Sequence, residues 1–207
     1  MIIQSWQVSR FQVPLRFTFS QANQHTQHSD SLILRLQTKG GIEAFGEACP
    51  RTYVTGESPE SVQADLQKVE SLLIGLQINS FADLQSVVFQ LLAPKIGLAS
   101  LCLLEIALLD AWGKSQGHPL AKDLGVSQEG ILHYSGIVPL TKPAHLQKLL
   151  PVLKSFAFAE LKIKVGNSLS DAIETIAIIK EHWGDSMPIR VDANTSWTVA
   201  QAYEMIP

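Results

Sequence analysis

Charge is scarce in this sequence and leans to neither sign. Lys and Arg number 16 against 19 Asp and Glu in 207 residues, a formal net charge of −3. There is no basic excess to follow a phosphate backbone, so nucleic acid is not an expected partner. Only two cysteines occur, Cys49 and Cys102. Their spacing fits neither a metal site nor a redox pair, and they read as two small buried apolar residues. No apolar run reaches the roughly 20 residues of a membrane-spanning helix. The first 17 residues lack the basic end and continuous apolar run of a signal peptide. No membrane contact and a cytoplasmic location are therefore expected. Low-complexity runs, linkers and short repeats are also missing. So are a Gly-rich phosphate loop, a His-Glu-x-x-His helix and a Gly-x-Ser-x-Gly turn.

What is present is a globular composition, 46% apolar and 17% charged. The length suits one large domain or two modest ones. Residues 2–13 mix Ile3, Trp6, Val8, Phe11 and Val13 with polar side chains and read as a strand that Pro14 ends. Residues 15–30 are polar and read as a loop. In 31–38, Leu32, Leu34 and Leu36 alternate with Ile33 and Arg35, and Gly40-Gly41 turns the chain into a second strand over 42–47. Residues 49–57 form a second loop. Ser58-Pro59 opens a helix carrying Val62, Leu66, Val69 and Leu73 at helical spacing. Ser80 and Asp83 resemble a capping box for the next helix. A third helix, 98–112, is apolar almost all round, so it is expected to be buried and to stop at Gly113. Strands followed by helices predict an α+β domain over residues 1–127.

The pattern then changes. Strands at 134–138, 160–165 and 189–192 alternate with helices at 143–154, 169–183 and from 199 onward. Strand–helix alternation with short connections predicts parallel strands with crossover helices, so residues 128–207 read as part of a β/α barrel.

Two strands carry the chemistry. In Leu161-Lys162-Ile163-Lys164-Val165 the side chains alternate, so both lysines point to one face and the three apolar residues to the other. Lysine is rarely buried without a partner, so the sequence leaves two readings open. One is a solvated edge strand with lysines that block aggregation; the other is a barrel interior with a task for them. The next strand ends in Asp192-Ala193-Asn194, a carboxylate and an amide two residues apart. Ligands gather at that end of barrel strands, and Asp192 is a hard oxygen donor suited to Mg²⁺. The same residues also suit a turn. His25 and His28 have metal-like spacing but read as solvated loop histidines.

Lys162-Ile163-Lys164 followed by Val191-Asp192-Ala193-Asn194 resembles the enolase superfamily, muconate-lactonizing subgroup. Gly46-Glu47-Ala48, Tyr53-Val54-Thr55-Gly56-Glu57 and the helix 104–114 resemble that subgroup's capping domain, so the likeness runs the length of the chain. The fold it implies is an α+β capping domain followed by the first three β/α units of a barrel. The activity it implies is Mg²⁺-dependent removal of a proton next to a carboxylate through an enolate. A Lys base with Mg²⁺ is the general pattern of enolase-superfamily sites.

By position, Lys164 resembles the base, Lys162 its helper, Asp192 a metal ligand and Asn194 an amide beside it. Arg51 and Tyr53 fall in a loop that resembles one setting substrate specificity. Lysine ordinarily titrates at about 10.4; a second ammonium, a metal and desolvation each favour the neutral amine such a base requires. The resemblance implies a racemase or epimerase of dipeptides or amino-acid derivatives, with an o-succinylbenzoate synthase-like dehydratase as the alternative within the family. It also implies a homo-oligomer when full length. A barrel of this type takes eight units and about 250 residues. The sequence therefore reads as a fragment, inactive by itself, and the non-enzymatic alternative is a remnant or a partner chain.

Overall fold

The computed structural model describes residues 1–21, 24–126, 130–194 and 196–205, with side chains throughout except those of 17, 19–21, 24 and 25. The chain divides into two compact units: residues 1–14 with 28–130, and residues 15–27 with 131–207. The expected boundary at 127/128 falls outside the described residues.

The chain begins with a three-stranded sheet in the order β1-β2-β3, made of β1 (Ile3–Gln21), β2 (Gln24–Thr38) and β3 (Glu43–Ala48). β1 does not stop at Pro14, and residues 15–21 and 24–30 are strand rather than loop. The reason lies in the sheet order. β1 is an outer strand, and outer strands tolerate proline where its nitrogen faces away from the ladder. Polar composition tracks loops only by correlation. β2 and β3 pair antiparallel from Leu32↔Ala48 to Gln37↔Glu43. Leu32, Leu34 and Leu36 are fully buried, as their alternation predicts. Gly41, at φ +79, makes the turn between these strands.

The single-turn helix α1 (Thr52–Thr55) lies within the second expected loop. Helices α2 (Pro59–Leu73), α3 (Phe81–Gln90) and α4 (Leu98–Gln116) follow. The expected capping box at Ser80 forms, and the expected N-cap Ser58 forms one as well, with Ser61. Ser58 Oγ accepts the Ser61 N–H at 3.2 Å, and Ser80 Oγ accepts the Asp83 N–H at 3.0 Å. The inner faces of these helices join the sheet in one core that includes Val62, Leu66, Val69, Leu73, Leu84, Leu103, Leu104 and Leu108. Burying each such side chain stabilises the fold by roughly 1.5–3 kcal/mol.

Helix α4 differs from expectation in two ways. It passes through Gly113 and ends at Gly117, which takes the left-handed conformation at φ +67. An interior glycine costs about 1 kcal/mol, less than the packing that holds the helix. Nor is α4 buried all round: Leu98 is 68% and Ile106 43% exposed, and Cys102 is exposed. Cys49 is half-buried and donates its S–H to the Asp30 carbonyl at 3.2 Å, so neither cysteine is a buried apolar filler. β3 packs closely on α4 because position 46 is glycine. A Cβ there would lie 2.0 Å from the Leu103 carbonyl oxygen and 2.9 Å from the Ala107 nitrogen.

The second unit contains β4 (Ser135–Val138), α5 (Pro143–Lys154), β5 (Glu160–Lys164), α6 (Leu169–Trp183), β6 (Ile189–Asp192) and α7 (Val199–Met205). The strands are parallel in the order β4-β5-β6. Val138, Leu161, Ile163 and Val165 pack with Leu146 and Leu150 of α5 and Ile179 of α6. This is an α+β domain followed by three β/α units of a barrel. Among the described residues, no helix is long and apolar enough to cross a membrane.

Candidate active site

The sheet of the second unit has two unlike faces. Leu161, Ile163 and Val165 are at most 3% exposed against the helices. Lys162 and Lys164, between them in sequence, take the other face. In register, Lys162 lies beside Ile137 and Arg190, and Lys164 beside Asp192. Both Nζ atoms reach the same oxygen, Asp192 Oδ2, at 2.7 Å. The Lys164 side chain is only 11% exposed. A lysine so far from water needs partners, and it has a second one in Asn194 Oδ1 at 2.5 Å. These contacts exclude the solvated-edge reading.

The turn after β6 completes the cluster. Asn194 adopts φ +47, a left-handed conformation that Asn tolerates better than most residues. Its backbone N–H donates to Asp192 Oδ1 at 2.9 Å. The Ser196 N–H and hydroxyl both donate to the Ala193 carbonyl, at 3.0 and 2.6 Å. Trp197 Nε1 donates to the Gly166 carbonyl at 2.9 Å, which ties this turn to the segment after β5. The hydrogen bonds from Lys162, then Lys164, hold the Asp192 carboxyl well below the usual carboxylate range. They outweigh the opposing effect of burial, with help from the Asn194 N–H.

Toward the start of the same strands lies a group that sequence reasoning did not single out. Arg190 pairs with Glu160, the Ser135 hydroxyl donates to Glu160, and Arg190 Nη2 donates to Ser135 Oγ at 2.9 Å. The signal was available: Glu160, Lys162 and Lys164 alternate on one strand, so all three share a face.

The other expected site residues lie in the first unit. Arg51 is the N-cap of α1, and Tyr53, within it, is 43% exposed. His28 is exposed on β2 rather than in a loop, and the side chain of His25 lies outside the described residues, as does Thr195. Among the described residues, no three His, Cys, Asp or Glu side chains converge as a ready metal cage. Asp192 and Asn194 do offer hard oxygens of the kind Mg²⁺ takes, at the strand end where such ions sit. Mg²⁺ demands six oxygens and keeps several as water, so these donors fit part of its shell.

Known proteins share this arrangement of elements. Residues 5–125 match the family model of the mandelate racemase / muconate lactonizing enzyme N-terminal domain, and residues 147–207 match the enolase C-terminal domain-like model. The D-Ala-D/L-Ala epimerase of Cytophaga hutchinsonii is 30% identical, aligned over 100% of this chain and 55% of its own length. The crystal structure of a dipeptide epimerase from C. hutchinsonii, complexed with Mg and D-Ala-L-Val, superposes with a TM-score of 0.86 at 29% identity. That match covers 100% of this chain and 55% of that one. The substrate-liganded L-Ala-D/L-Glu epimerase from Bacillus subtilis gives a TM-score of 0.84 at 27% identity, over 100% and 57%. The chain thus spans about half the length of the relatives it matches. With both of its parts matched, the chain belongs to the mandelate racemase / muconate lactonizing enzyme family of the enolase superfamily.

Proposed function

We propose that the protein, in its natural assembly, removes the proton next to a carboxylate on one face while a second acid delivers a proton to the other face, as a Mg²⁺-dependent dipeptide epimerase. One observation carries this reading: Lys162, Lys164, Asp192 and Asn194 meet at the C-terminal ends of adjacent parallel strands. The family membership and the epimerases among its relatives support it. So do related structures complexed with Mg and a dipeptide.

Each residue has a part. Lys164 accepts the substrate proton at Nζ. Lys162 places a positive charge beside it, where negative charge develops. Asp192 gathers both Nζ atoms at one oxygen and fixes their direction. Asp192, with Asn194 beside it, would hold Mg²⁺, which when bound supplies positive charge for the substrate carboxylate. Arg51 and Tyr53 contact the substrate and set which side chains are accepted.

The test is epimerisation itself. The intact protein, supplied with Mg²⁺ and a panel of dipeptides beginning with L-Ala-L-Glu, is followed by chiral chromatography. A mixed-configuration product should accumulate, and Lys164→Ala should slow it by about 10³-fold or more. Failure to epimerise any dipeptide or N-acylated amino acid would rule the proposal out.

A further inference from the structure

We infer that the turn carrying Arg51 and Tyr53 is a preformed specificity platform, clamped at both ends, with Glu57 as the positioning residue that fixes it to α4. This rests on the proposed role of Arg51 and Tyr53, and the clamp itself stands on separate contacts.

At one end, Glu57 is only 8% exposed. Its Oε1 and Oε2 accept the Ala99 N–H at 2.8 and 3.1 Å, in the first turn of α4. Helix α4 already has a carboxylate at its start: Asp65 Oδ2 takes the Gly97 N–H at 2.8 Å and the Ser100 hydroxyl at 2.9 Å. A second carboxylate, from 42 residues earlier in the chain, fastens the loop to the helix as well as capping it. Gly97 makes room for it. A Cβ at position 97 would lie 2.1 Å from Glu57 Oε1. Gly97 itself has an ordinary φ of −69, so a side chain there would displace the Glu57 carboxylate rather than strain the backbone.

At the other end, Cys49 Sγ donates to the Asp30 carbonyl at 3.2 Å. The Asp30 carboxylate takes Arg10 Nε at 2.8 Å and Nη2 at 2.5 Å, a two-pronged pair, and Arg10 Nη1 reaches Glu60 Oε1 at 2.9 Å. Cys49 and Glu60 are thus joined through Asp30 and Arg10. Between them the chain makes the single turn of α1, closed by Gly56 at φ +78, whose N–H returns to the Thr52 carbonyl. The backbone is tied down, while Tyr53 and Val54 stand 43% and 66% exposed. A fixed backbone presenting a cation, an aromatic ring and an aliphatic group lowers the ordering cost of reading a ligand.

Two measurements on the intact protein test this. Without substrate, amide exchange is followed at Val54, Thr55 and Gly56, whose N–H groups bond to Arg51 and Thr52 carbonyls. Glu57→Ala and Gly97→Ala should each speed this exchange by about tenfold, leaving β3 and most of α2 unchanged. The double variant should add nothing to either single one, because both break the same contact. Glu57→Gln, which keeps an oxygen acceptor, should stay near wild type. With a dipeptide substrate, the two loosening variants should raise KM about tenfold and change kcat less than about threefold. Unchanged exchange in both variants, or additive effects, would overturn the clamp. Faster exchange with unchanged KM would overturn the specificity role. Complete absence of epimerisation would instead count against the proposed function, and the exchange experiment would still decide the clamp.

Discussion

The two units handle their least exposed charges in different ways. In the first, Glu57 and Asp65 are buried and accept backbone N–H groups at the start of α4. In the second, Lys162 and Lys164 meet side-chain oxygens, those of Asp192 and, for Lys164, Asn194. A carboxylate held by backbone is part of the scaffold, since its partner cannot move without the helix. An ammonium held by a carboxylate can exchange that partner for a ligand. Buried charge marks structure in one place and chemistry in the other, and the partner tells which.

That contrast can be broken in graded steps. Removing core on either side should cost most. Leu34→Ala in the first unit and Leu161→Ala in the second, both fully buried, should each destabilise by about 2–5 kcal/mol in urea unfolding. Gly46→Ala should follow, toward the upper end of about 1–3 kcal/mol, because the clash at 2.0 Å is with backbone that cannot swing aside.

Asp65→Asn comes next and carries a pH dependence. Burial pushes the Asp65 carboxyl up, but the Gly97 N–H, Lys68 and the Ser100 hydroxyl together bring it below its ordinary value. A depressed carboxylate adds stability above its unfolded value of about 3.9, and loses it as pH falls through the folded value. The stability gap between the protein and Asp65→Asn should therefore be open at pH 7 and close in acid. A gap that widened in acid would reverse the assignment. Smallest of all should be Lys162→Met, changing stability by less than about 1 kcal/mol, since the pair is partly solvated and Asp192 keeps Lys164. A large loss there would make that lysine structural and erase the contrast.

Local features were legible in the sequence. The Ser58 cap, the Ser80–Asp83 capping box, the alternating leucines of β2 and the apolar face of β5 follow from short-range rules. So does the shared face of Lys162 and Lys164. What escaped depends on contacts distant in sequence. Pro14 ends a strand only if that strand is internal, and nothing local says that β1 lies at the edge. The composition of α4 cannot tell which of its apolar faces meets β3 and which stays exposed. That both lysines reach one oxygen of Asp192 follows from the parallel register of β5 and β6, which the residues of neither strand fix alone. Glu57 and Asp65 escaped for the same reason, since the backbone N–H groups they accept at the start of α4 lie more than 30 residues away.

The central claim is that Lys164 moves a substrate proton. It is tested most directly by incubating the intact protein, with Mg²⁺, in deuterated water with each epimer of a dipeptide in turn, and following the α-hydrogen by NMR. Deuterium should enter from both epimers in the wild type. In Lys164→Ala, with the fold intact by circular dichroism, exchange from one epimer should fall by about 10³-fold or more. Exchange that persists from both epimers in Lys164→Ala at the wild-type rate would contradict the account, whatever else the protein does.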